Sequence, residues 1–235
     1  MTQLLVSVKS LEEARLALGA GADILDLKDP AQGALGALPH VLVAEIVTWV
    51  NHRKPVSATL GDLPMDPELL TQAVRPMAAT GVDYVKVGFF EACRDCATAL
   101  GAMSGDARLV AVLFADREPD FDLLPVLARA GFAGVMLDTA DKQGGGLRTR
   151  LGLAALHEFV TRARKLRLLT GLAGSLALED ISELLQLEPD YLGFRGAVCK
   201  KTGRNGDIDK IKLALVRRNI PDLPTASLFP ALAVV

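Results

Sequence analysis

Two kinds of hydrophobic pattern alternate along this chain. Short, nearly continuous apolar runs occur at LLVSV (4–8), DILDLK (23–28), PVSATL (55–60), DYVKVG (83–88), RLVAVLF (108–114), AGVMLD (133–138), LRLLTGLA (166–173) and DYLGFR (190–195). Runs of this length and β-branched content suit strands buried on both faces. Between them lie stretches with apolar residues every three or four positions: LEEARLALGA (11–20), LPHVLVAEIVTWVNHR (38–53), DPELLTQAVRPMAATG (66–81), FEACRDCATALGAM (90–103), DLLPVLARAG (122–131), LGLAALHEFVTRARK (151–165), LALEDISELLQL (176–187) and DIDKIKLALVRR (207–218). That period predicts amphipathic helices. Eight strands, each followed by a helix, predict an α/β fold, a (β/α)8 TIM barrel, with the chain 1–235 as one domain. A doubly wound open sheet would alternate in the same way, but VKSLEEA after the first run holds no G-x-G-x-x-G phosphate loop.

The joins between helix and strand agree with a barrel. GAGAD, ATGVD and RAGFAG each place a Gly just past a helical pattern, where a left-handed cap turns the chain into the next strand. No low-complexity linker divides the chain. The last stretch, IPDLPTASLFPALAVV (220–235), is apolar, interrupted by Pro and without helical period, and is expected to pack under the barrel or at a subunit contact.

Composition narrows the function classes. The chain has 235 residues and a formal net charge of -2, with acids and bases spread rather than blocked. That gives no electrostatic case for a nucleic-acid or membrane partner and favours a small-molecule substrate. No membrane-length apolar segment or secretory leader is evident, so a cytoplasmic protein is expected. Cys93, Cys96 and Cys199 are too few for a disulfide framework, in line with a reducing compartment. Cys93 and Cys96 form a C-x-x-C on a predicted helix with no second pair, a weak zinc or redox signal. His40, His52 and His157 have no ligand spacing, and no metal site is expected.

The polar residues inside the apolar runs carry the chemistry. In a barrel, active sites sit at the C-terminal ends of the strands. DILDLK ends in Lys28 with Asp26 two positions before it, so both side chains share one face. Lys86 stands in the fourth run, Asp138 ends the sixth, and Lys142 follows four residues on. Buried charges cost several kcal/mol, on the order of 5, unless paired, and here carboxylates and ammoniums converge on one mouth. A crowded lysine with a lowered pKa attacks carbonyls to form a Schiff base, while a second lysine or a carboxylate moves protons. Phosphate handling is expected after the seventh and eighth strands, in GLAGSL (171–176) and FRGAVCK (194–200). Gly174, Ser175, Arg195 and Gly196 are the candidates there, with a helix N-terminus adding a favourable dipole. QGGGL (143–147) is expected to form a flexible loop at the site.

On these residues the chain resembles the (5-formylfuran-3-yl)methyl phosphate synthases of methanofuran biosynthesis. DLKDPAQGALGA (26–37), YVKVG (84–88), MLDTADK (136–142), GLAGSL (171–176) and FRGAVC (194–199) carry the resemblance, which spans nearly the whole chain. KKTGRNG (200–206) looks longer than the family's usual loop. The resemblance implies a Schiff-base lyase that joins two glyceraldehyde 3-phosphate molecules into a furan aldehyde phosphate, without a cofactor. It makes Lys28 the Schiff-base lysine and Lys86 the proton acceptor, with Asp26, Asp138 and Lys142 as the other polar residues of the site. Two other readings stay open: a class I aldolase or phosphosugar isomerase on the same barrel, and a non-catalytic sensor of phosphorylated metabolites.

Overall fold

A computed structural model describes residues 1–141, 144–200 and 203–221. Eight parallel strands close into a barrel in sequence order: β1 Gln3–Val8, β2 Ile24–Leu27, β3 Val56–Thr59, β4 Tyr84–Phe89, β5 Leu109–Phe114, β6 Gly134–Asp138, β7 Leu169–Leu172 and β8 Tyr191–Phe194. Around them lie α1 Leu11–Gly19, α2 His40–Val50, α3 Pro67–Ala78, α4 Arg94–Gly101, α5 Leu124–Arg129, α6 Leu147–Arg150, α7 Leu153–Lys165, α8 Ile181–Leu185 and α9 Lys210–Asn219. All eight predicted strands are present. Their outward residues, such as Leu4, Val6, Leu25, Leu27, Val85 and Val87, pack with the helices in one continuous core. The inward residues Leu5, Ile24, Tyr84, Val110, Val112, Met136 and Tyr191 fill the barrel as a second cluster.

The caps explain where helices begin. Ser10 accepts the Glu13 N–H, Asp66 accepts that of Leu69, and Asp209 accepts those of Ile211 and Lys212. At the helix ends Gly21, Gly81 and Gly131 have φ of 86°, 85° and 82°, the left-handed turns read from the joins. The Asp two residues after Gly21 and Gly81 has a further task. Asp23 accepts the Leu4 N–H at 3.0 Å and Asp83 accepts the Val56 N–H at 2.7 Å, while Asp190 does the same for Thr170 at 2.7 Å. Each carboxylate thereby ties the start of its own strand to the strand before it.

Several boundaries differ from the sequence reading. The run 166–173 yields a strand only from Leu169, because α7 continues to Lys165 and Arg167 turns the chain at φ 59°. The 90–103 helix begins at Arg94, with Cys93 as its cap, and the 176–187 helix shrinks to Ile181–Leu185 because Asp180 holds a turn through the Ala177 N–H. Cys93 and Cys96 are joined in a disulfide, which revises the expectation of reduced cysteines. The N-cap position of Cys93 places its sulfur over the first turn, with a Cα–Cα distance of 5.3 Å that such a bridge can span. Cys199 is buried and free. In QGGGL, Gly146 caps the short helix α6, whereas Gln143 lies outside the described residues, as does the tail from 222 onward.

Candidate active site

The barrel's C-terminal mouth opens into a cavity of about 360 Å³, within the range of small-molecule sites. Its walls include Ser7, Asp26, Lys28, Lys86, Met136, Asp138, Gly174, Ser175, Arg195, Gly196 and Arg204. Strand register assembles it. Ser7, Asp26 and Ser57 are cross-strand partners on β1, β2 and β3, so their inward side chains stand at one level. Asp26 accepts the hydroxyls of Ser7 at 2.9 Å and Ser57 at 2.7 Å, and the Lys86 ammonium lies 2.8 Å from its Oδ1. Nearer the mouth, Lys28 follows the last residue of β2. Its Nζ lies 3.6 Å from Asp138 Oδ2 and donates to the Ala34 carbonyl at 3.3 Å. Asp138 Oδ1 also accepts the Thr139 N–H at 2.7 Å.

The two ion pairs are buried, with the Lys86 side chain 2% and the Lys28 side chain 8% exposed. Burial pushes the Asp26 carboxyl up, but Lys86, Lys28 and the Ser57 hydroxyl outweigh it and hold Asp26 below the usual carboxylate value. Burial is also the largest influence on Lys86. Asp26 and Asp138 work against it and Lys28 works with it, and the net result is an amine below the ordinary lysine value. Beneath Lys86 lies the Tyr191 ring, 5.7 Å from the ammonium. Gly171 makes room for that ring, since a Cβ there would sit 2.3 Å from it. Burial raises the Tyr191 phenol well above its ordinary value, so it stays neutral.

Of the expected catalytic residues, the structure brings together Asp26, Lys28, Lys86 and Asp138; Lys142 lies outside the described residues. Gly174, Ser175 and Gly196, the other phosphate candidates, line the cavity. Gly174 takes φ 107° and Ser175 φ 49°, a turn that Gly permits at the first position. Among the described residues the N–H groups of Gly174 and Ser175 find no acceptor. The expected helix dipole is missing from this corner, because α8 does not begin until Ile181.

Arg195 corrects the sequence reading more strongly. All five of its N–H donors are engaged within the protein: Nε to Arg204 O at 2.8 Å, Nη1 to Ser7 O at 3.0 Å and to Glu13, and Nη2 to Glu13 at 3.1 Å and Gly206 O at 2.7 Å. A buried guanidinium saturated in this way has no donor left for a substrate anion. Its work is to tie the 203–206 turn to β1 and α1.

Sequence reasoning missed Ser7, Ser57 and Arg204. The serines had a signal, since each places a hydroxyl at an inward position of an apolar run. Arg204 had none, because it sits on a short 3-10 turn, Gly203–Asn205, whose return to the mouth only the fold reveals.

The 4-HFC-P synthase family model matches residues 4–217. A relative from Methylorubrum extorquens is 43% identical over 212 residues, covering 90% of this chain and 89% of that protein. The (5-formylfuran-3-yl)methyl phosphate synthase of Methanopyrus kandleri is 39% identical over 217 residues, with 86% and 92% covered. Among solved structures, the phosphoribosyl anthranilate isomerase of Thermus thermophilus superposes with a TM-score of 0.67 at 17% identity, covering 93% of this chain and 98% of that one, a likeness of fold alone. With its TIM barrel, its matched length and these relatives, the chain belongs to the (5-formylfuran-3-yl)methyl phosphate synthase family and is an enzyme.

Proposed function

We propose that this enzyme is a Schiff-base lyase that condenses two glyceraldehyde 3-phosphate molecules into (5-formylfuran-3-yl)methyl phosphate, releasing one phosphate and two waters. The observation that carries the reading is the pair of buried amines in one cavity, each beside a carboxylate: Lys28 with Asp138 and Lys86 with Asp26. An anion sensor has no use for two carboxylates on the wall of its pocket, because they weaken anion binding.

Lys28, nearer the mouth, adds to the carbonyl carbon of one triose. Asp138 delivers a proton to the departing hydroxyl, and loss of water leaves the iminium. Lys86, with its amine held below the ordinary value, then takes a proton from the carbon next to the iminium. The resulting enamine attacks the aldehyde carbon of the second triose. A hydroxyl of the second triose closes the ring onto the iminium carbon and expels the Lys28 amine, and loss of phosphate and of the second water completes the furan. Asp26, kept ionised by its two serines and Lys86, stabilises Lys86 each time it carries the proton.

The test is a product assay. Glyceraldehyde 3-phosphate incubated with the enzyme should yield a compound with the near-ultraviolet absorbance of a conjugated furan aldehyde and the mass of the C6 monophosphate. Formation of a hexose bisphosphate or of an isomerised triose alone would instead assign an ordinary aldolase or isomerase.

A further inference from the structure

Arg204 differs from the other cations of the cavity. Lys28 and Lys86 each stand within 4 Å of a carboxylate, and Arg195 is saturated by Glu13 and three carbonyls. Arg204 is half-buried on the cavity wall and makes no ion pair among the described residues. It has one hydrogen bond there, from Nη2 to the Gly33 carbonyl at 2.8 Å. Burial works against its charge and lowers its pKa, with Asp138 and Asp62 only partly opposing that. A guanidinium that gives up solvent without gaining a carboxylate costs stability unless something else is gained.

The surroundings hold Arg204 firmly. Arg195 grips its backbone carbonyl and that of Gly206. On the other side, the Gly33 loop is pinned by Asp62, which accepts the N–H groups of Ala34 at 2.8 Å and Leu35 at 2.7 Å. The guanidinium therefore bridges two rigid loops across the mouth with part of its planar fork left over. The N–H groups of Gly174 and Ser175 border the same cavity. A fork of N–H donors and backbone amides bordering one cavity are donor types that bind phosphate oxygens.

We infer that Arg204 recognises the phosphate of the triose substrate, and that Arg195 acts as a positioning residue that aims it. The assignment rests on the lyase reading only for the identity of the substrate. Arg204 sets the preference for phosphorylated over unphosphorylated trioses, and Lys28 handles the carbonyl end.

Two measurements test this. In the first, borohydride traps adducts formed from glyceraldehyde 3-phosphate and from plain glyceraldehyde over a range of concentrations. Arg204→Gln should reduce the preference for the phosphorylated compound about 10- to 100-fold, the range set by charge-assisted hydrogen bonds. Arg204→Lys should restore part of it, and an unchanged preference in Arg204→Gln overturns the assignment. In the second, inorganic phosphate is titrated calorimetrically into wild type and Arg204→Gln. About tenfold weaker binding in the variant is expected, and equal affinity overturns the assignment. If wild type traps neither triose, the Schiff-base reading fails and the phosphate titration alone decides the role of Arg204.

Discussion

The two ends of the barrel use carboxylates in different ways. At the N-terminal end Asp23, Asp83 and Asp190 accept backbone N–H groups from the neighbouring strand. At the C-terminal end Asp26 faces two hydroxyls and an ammonium, and Asp138 faces an ammonium and one backbone N–H. A backbone amide never gives up its proton near neutral pH, so the lower carboxylates serve as fixed staples. An ammonium does give one up, most readily when burial lowers its pKa as at Lys86. In the proposed mechanism the same residue type is therefore structural at one end and chemical at the other. Asp23 also pairs with Lys54 at 3.1 Å and Arg217 at 2.6 Å. The Lys54 side chain, however, is 40% exposed where that of Lys86 is 2%, so burial of the partner amine separates the two ends.

Substitutions at the two ends should separate these roles. The largest effect is expected from Lys28→Ala, which removes the amine at the mouth and should abolish product formation while circular dichroism stays that of the folded barrel. Asp26→Asn keeps the shape but removes the counter-charge of Lys86, and turnover should fall about 100- to 1,000-fold. Asp26 opposes the lowering of the Lys86 pKa, so in Asp26→Asn the rise of kcat/KM with pH should move to lower pH. A profile that stays in place would mean that Lys86 does not set that limb.

At the other end, Asp83→Ala strands the Val56 N–H and should cost about 1–3 kcal/mol of stability by denaturant unfolding, with kcat unchanged. A loss of turnover there would erase the contrast between the ends. The smallest effect is expected from Ser7→Ala, about 1 kcal/mol. Because the folded pKa of Asp26 is lowered, its contribution to stability is present above the unfolded value of about 3.9 and is lost as pH falls through the folded one. Removing the Ser7 hydroxyl raises the folded value, so acid unfolding should begin at higher pH.

Strand number, strand order and the convergence of Asp26, Lys28, Lys86 and Asp138 were legible because period 2 fixes which residues face inward and the fold fixes which end faces the mouth. The Gly-x-Asp joins gave away the turns but not the staples, since the N–H that each Asp meets belongs to a different strand. Arg195 was misread because position alone cannot show that Glu13, far away in sequence, has claimed its donors. Arg204 was invisible because it reaches the mouth through a short 3-10 turn with no hydrophobic period. A cation with no ion pair among the described residues was thus found only once the loops were in place.

The central claim is that the Lys28 amine forms a covalent imine with the substrate. Borohydride added during turnover of glyceraldehyde 3-phosphate, followed by peptide mass mapping, tests it most directly. A reduced triose phosphate adduct on the peptide carrying Lys28, absent in Lys28→Ala, is the predicted result. An adduct that persists in that variant, or a wild-type enzyme that makes the furan product yet traps nothing, would contradict it.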